Sequence, residues 1–344
     1  MASDKVSDIV LPVSYSDVAP CIFPKTDPVI PIITVDINST SSISTALCST
    51  GTALEDDWLR SVCACVTENK KPVNISWSAH HADADHQQKT LPILAMMPLF
   101  HHSANTPAMI RHSFTVVESA IKHLNPNQIP VLCFDQPTFA LAKLIQWHWP
   151  DTYGEHKFVV MMGGLQIEMA ALRMLGHWLD GSGWVQCLVR GEVASSGVAE
   201  SFIHACHVKR TRYAHTVTAA ALFICQQRCY SQYCDSQDDN VLPLTEWCSE
   251  KEKVSTQFKY WNMVMQLELI VLTFVHSLRE HNFDLYVESL QNLAPWFFCL
   301  DQKHYSRWLS VHLRDMMNLR NSHPDVATEF LAGHFTICDP PCQK

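Results

Sequence analysis

Asp135 stands at the end of a compact apolar run, Ile129 to Phe134, bracketed by Pro130 and Pro137. A carboxylate at the mouth of a buried strand can hold Mg²⁺, a hard ion that prefers oxygen ligands. Two such ions clamp the attacking and leaving oxygens of a phosphodiester displacement. That chemistry needs several converging acids. The first expected strand carries no carboxylate between Asn74 and Ser78, although Asp83 and Asp85 follow soon after. Glu168, just inside an expected helix, reads equally as an exposed first-turn acid favoured by the helix dipole. Asp135 is thus the catalytic candidate, and it has no evident partner.

The densest set of metal-ligand residue types is His80-His81-Ala-Asp83-Ala-Asp85-His86, with His101 and His102 beyond the next expected strand. Imidazole suits zinc, but neither a His-Glu-x-x-His helix nor paired Cys-x-x-Cys knuckles occur, and a polar surface loop accounts for the cluster. Cys225, Cys229 and Cys234 fall on an expected helix, where buried thiols are common core residues. No metal ligand is therefore assigned and no cofactor is expected. Gly163-Gly164 lacks the further pattern of a phosphate loop and reads as a strand-to-helix turn. Gly181-Ser182-Gly183 lacks the frame of a nucleophile elbow and reads as a helix C-cap loop.

Lys209, Arg210 and Arg212 form the sharpest basic patch, with Tyr213 beside them and His207 and His215 flanking. Cations next to an aromatic can hold a nucleic-acid backbone. The same residues serve as well as a solvated turn, or as internal ion pairs with Glu192, Glu200 or Asp180. With 25 basic against 34 acidic residues the net charge is −9, so any contact with nucleic acid has to be local.

The elements that must position these residues follow from periodicity. In 344 residues, 47% hydrophobic and 17% charged, there is material for a sizeable core. Residues 1–70 carry scattered prolines and the Ser/Thr-rich run Asn38 to Thr52, which predicts a loosely structured arm joined to the body by a helix from Ala53 to Thr67. Residues 71–190 alternate strand-like runs (Val73 to Trp77, Leu91 to Phe100, Ile129 to Phe134, Lys157 to Met162) with helices at Pro107 to Leu124, Phe139 to Trp149 and Ile167 to Leu179. Ile129 to Phe134 and Phe158 to Met162, each followed by a helix, are expected to be neighbouring parallel strands. Residues 191–344 read as a helical region packed on this core, with Thr211 to Tyr233, Phe258 to His281, Phe283 to Leu293, Tyr305 to Asn318 and Pro324 to Leu331. The apolar stretch Val264 to Val275 belongs at its centre. Without a secretory signal or an apolar run of about 20 residues, the chain is expected to be intracellular, off the membrane, with its fourteen cysteines reduced.

Several strings also carry a resemblance: Asp135-Gln-Pro-Thr-Phe-Ala-Leu-Ala-Lys143, Lys157 to Ala170, Trp178-Leu-Asp-Gly-Ser-Gly-Trp184, Val208 to His215, Leu293-Ala-Pro-Trp-Phe-Phe298 and Asp301 to Trp308. Across most of Pro72 to Ile337 the chain resembles a family of mobile-element-derived proteins of marine invertebrates and fishes. The resemblance implies a degenerate ribonuclease H-like transposase core. It departs from the family at Gln166, where relatives more often have His, and in stopping at Lys344 where they run on. The expectation is an α/β protein: a small ribonuclease H-like mixed sheet followed by a mainly helical half, transposon-derived, truncated and catalytically inactive. The alternatives are an active transposase-like DNA-processing enzyme, the one case that calls for Mg²⁺, and a domesticated scaffold binding protein or nucleic acid.

Overall fold

Short apolar runs closed by proline or glycine make the two strands among the described residues, and amphipathic stripes make nearly all the rest of them. The computed structural model describes residues 18–31, 51–67, 76–81, 103, 105–237 and 240–336. Strand β1 (Val131–Phe134) and strand β2 (Val159–Met162) pair in parallel, with Val131 opposite Val159 and Phe134 opposite Met162. The expected parallel neighbours are therefore present. All of β2 is buried, whereas Val131 and Cys133 of β1 are exposed.

The described residues divide into two compact units, each assembled from separated segments. The first draws on Met1–Val35, Pro92–Gln166 and Arg307–Phe330. It contains the strands and, in chain order after a helix α1 (Gly51–Thr67) and a turn α2 (Trp77–His80) that belong elsewhere, α3 (Pro107–Leu124), α4 (Gln136–His148) and α5 (Pro150–Tyr153). Thr106 caps α3 and Pro107 opens it, a favoured start because the missing N–H would be unpaired there. Phe139, Ala142 and Ile145 form the fully buried stripe of α4, which ends before Pro150. Phe114, Phe139, Phe158 and Met162 centre this core. Residues 18–31 lie along it, with the Val29 N–H donating to the Trp147 carbonyl at 3.1 Å and Phe23 stacked on Trp149.

The second unit draws on Asp36–Leu91, Ile167–Ser306 and Leu331–Lys344. It takes α1 and α2, most of α6 (Gly164–Leu179), then α7 (Trp184–Arg190), α8 (Ser196–Phe202), α9 (Val208–Asp235), α10 (Leu244–Val254), α11 (Thr256–Arg279) and α12 (Phe283–Cys299). Helix α13 (Lys303–Met317) begins in this unit and runs mostly in the first, which also holds α14 (Leu319–Ser322) and nearly all of α15 (Pro324–Leu331). Helix α11 packs against α1, α9, α10 and α12. It is the one described helix long and apolar enough to cross a membrane, and 72% of its most apolar stretch is buried inside the protein. That is the pattern of a core helix.

The expected ribonuclease H-like mixed sheet is overturned. Helix accounts for 72% of the described residues and strand for 3%, and the sheet among them has two strands. Two apolar runs joined through a helix specify a parallel crossover, yet they do not specify how many further strands pair beside it. Trp77, expected to end a strand, instead begins the turn α2 under a Ser76 cap. Residues 73–75 and the expected strand at 91–100 lie outside the described residues. Helix α12 also runs through Pro295 to Cys299 where an end at Leu293 was expected, because burial of Trp296 and Phe297 outweighs one lost helical hydrogen bond.

Candidate functional site

Asp135 sits at the end of β1 as the sequence predicts, but its carboxylate is the N-cap of α4. One oxygen accepts from the Thr138 N–H at 3.1 Å and from the Thr138 hydroxyl. Asp is a favoured cap because it satisfies amide hydrogens that the first helical turn leaves unpaired. Glu168 is buried rather than an exposed first-turn acid. Its two oxygens accept from Arg212 Nε at 2.6 Å and Nη2 at 2.8 Å. This fork joins α6 to α9 and removes Arg212 from the basic patch, leaving Lys209, Arg210 and Tyr213 exposed on the first turns of α9. The internal pairing of Arg212 foreseen from sequence is thus present, with a different acid.

The first unit buries a second charged group. Lys143, 1% exposed, lies 2.5 Å from Glu155 Oε1 and 2.9 Å from Asp315 Oδ2, and its ammonium also donates to Gln146 Oε1. Arg314 closes the set, 2.6 Å from Glu155 and 2.5 Å from Asp315. Two cations therefore face two carboxylates. Burial would raise the Glu155 carboxyl, but Lys143 and Arg314 hold it below its ordinary value; Asp315, more deeply placed, is pushed up by burial and by the neighbouring Glu155 charge. A cavity of about 40 Å³, enough for a water molecule, touches Lys143, Glu155, Asp315, Ser322 and His323. His312, fully buried beside this group, is kept neutral by burial and by the Lys143 charge, its pKa lowered to about 3.

In the second unit His215 Nδ1 lies 2.8 Å from Glu268 Oε1, with Trp184 stacked on the imidazole at 4.8 Å. Burial pushes the Glu268 carboxyl up against the influence of His215. The pair ties α9 to α11.

The remaining cluster is built from three distant segments. Glu55 on α1 is completely buried. Its Oε2 accepts from Trp77 Nε1 at 2.6 Å and lies 3.0 Å from His81 Nε2, while its Oε1 lies 3.1 Å from His276 Nδ1. His81 follows α2 directly, and His276 occupies the last turn of α11. The two imidazole rings are 4.1 Å apart. Burial alone would raise the Glu55 carboxyl; hydrogen bonds from His276, His81 and Trp77, with the His81 charge, bring it down to about 2. Trp77 is held in turn by Arg279, whose guanidinium lies 4.9 Å over the indole and whose Nη1 donates to Ser78 Oγ. Among the described residues this is the one convergence of three ligand-type side chains, with all three ligand atoms within 4.8 Å of one another.

Sequence reasoning singled out His81 but paired it with its neighbours. Asp83, Asp85, His86, His101 and His102 lie outside the described residues. The partners in place are 26 residues before it, at Glu55, and on a helix 221 residues beyond Glu55, at His276. A Glu in a helix and a His in an apolar helix carry no local signal of that meeting. Cys225 and Cys229 are exposed on α9 rather than core, and the described cysteines are free thiols. Gly163 makes the foreseen strand-to-helix turn, its N–H continuing the ladder to the Phe134 carbonyl at 2.8 Å.

The sequence profile of a domain of unknown function, DUF8702, matches residues 76–241 and 231–339. No curated protein and no solved structure matches the chain.

Proposed function

Since the chain belongs to the DUF8702 family, described only as a domain of unknown function, we propose from its own residues that it is a mobile-element-derived protein acting by binding rather than by cutting DNA. The observation that carries this reading is the engagement of Asp135. Two-metal cleavage requires several converging acids, and the acid at the strand end has one oxygen in the cap of α4 and belongs to no group of three ligand-type side chains among the described residues. The resemblance across Pro72 to Ile337 supports the mobile-element origin. A nucleic-acid partner would meet the exposed Lys209, Arg210 and Tyr213, a small footprint on a chain of net charge −9, so affinity there would be weak and salt-sensitive.

The test is incubation of the purified chain with supercoiled, linear and single-stranded DNA in Mg²⁺ or Mn²⁺. Intact DNA is the expected result. Metal-dependent nicking that Asp135→Asn abolishes would reject the proposal and establish the DNA-processing alternative.

A further inference from the structure

We propose that Glu55, His81 and His276 form a binding site for one divalent transition-metal ion of the zinc type. This goes beyond the binding function proposed above and does not depend on it, because the site shares no residue with Asp135 or with the basic patch.

The donor set is the first argument. Two imidazoles and one carboxylate suit zinc and its neighbours, whereas Mg²⁺ and Ca²⁺ prefer oxygen alone. Spacing is the second. Zinc bonds of about 2.0–2.2 Å at tetrahedral angles put ligand atoms about 3.4 Å apart. His81 lies 3.0 Å from Oε2 and His276 3.1 Å from Oε1, and one Glu55 oxygen with the two imidazole nitrogens all fall within 4.8 Å of one another, so reaching the zinc spacing takes side-chain shifts of at most about 1.4 Å. The supporting shell is the third. A ligand carboxylate is normally oriented by a further hydrogen bond, and Trp77 Nε1 supplies one to Glu55 Oε2; Trp77 is itself fixed beneath Arg279.

Metal entry requires proton movement. Where an imidazole nitrogen donates its hydrogen to Glu55, that hydrogen must shift to the far ring nitrogen, by exchange with solvent, so that the near nitrogen presents a lone pair; a protonated ring releases its proton to water instead. Both rings are partly accessible, at 14% and 12% exposed, so ion and solvent can reach them. Trp77 offers an N–H and no lone pair, so it cannot be the fourth ligand. Water would complete the set, giving the arrangement of three protein ligands and one open position.

The test uses the full chain without an affinity tag, stripped of metal, dialysed against ZnCl₂ and analysed for zinc. About one zinc per chain is expected, with Glu55→Gln and His276→Ala each weakening binding by about tenfold or more and Trp77→Phe weakening it less. In parallel, CoCl₂ added to the unmutated chain should produce the visible bands of a low-symmetry four-coordinate site. Circular dichroism separates a folded variant from an unfolded one, and the cobalt spectrum needs no variant. A folded, unmutated chain that gives no such bands, or zinc binding unmoved by Glu55→Gln and Trp77→Phe, would overturn the site.

Discussion

His312 gives the residue-scale account a measurable consequence. Its imidazole lies fully buried, 5.8 Å from Phe139, with a pKa near 3 against 6.5 in water. Between those values the unfolded chain takes up a proton that the folded chain refuses, so stability falls as pH drops below about 6.5, by up to about 1.4 kcal/mol per pH unit. His312→Gln removes this contribution. Urea unfolding from pH 7 down to about pH 5 should show a flatter stability profile for the variant than for the parent, whereas equal slopes would mean that His312 is protonated in the folded protein. The roles of single residues were also where the sequence said least. Arg212 was visible as a cation and Glu168 as an acid, but their pairing across 44 residues is set by where α6 and α9 lie. Glu55 gave no signal at all, because nothing near it in the chain reports that its partners are imidazoles from two other segments.

At the scale of elements, long amphipathic patterns were legible and short ones were not. Pro107–Leu124 and Pro324–Leu331 begin at a proline and carry a clear apolar stripe, and both stand where the pattern puts them. Trp184–Arg190 and Ser196–Phe202 are two turns or less, too short for a 3.6-residue period to declare itself. Leu244–Val254 buries little beyond Trp247, so it had a weak stripe, although Pro243 and Ser255 bracket it and its charges follow the helix dipole. The meeting of α6 with the segment after α8 depends on Gly176. A Cβ there would lie 2.1 Å from the Ile203 carbonyl oxygen, a backbone atom that cannot swing away. Gly176→Ala should therefore destabilise the protein by about 1–3 kcal/mol despite the better helix propensity of alanine. Thermal unfolding would check this, and an unchanged or raised Tm would show that α6 stands further from Ile203.

For the whole molecule, the parallel pair is legible in the sequence, and the larger sheet expected around it is not what the described residues form. The error is physical in origin: a buried apolar run reports its own burial, not the number of its neighbours. The rest of the described residues are mainly helix, and each unit pairs its charges internally: Lys143 and Arg314 with Glu155 and Asp315 in the first, Arg212 with Glu168 in the second. The central claim joins these facts: the strand-end acid serves the fold, and metal chemistry, where present, belongs to the imidazole-bearing site at Glu55. The number of Mn²⁺ ions held by the full chain, read by native mass spectrometry on the parent and on Asp135→Asn, tests that claim most directly. The account predicts no pair of ions, and a count that is the same for the parent and for Asp135→Asn. A pair of ions that disappears when Asp135 is replaced would contradict it.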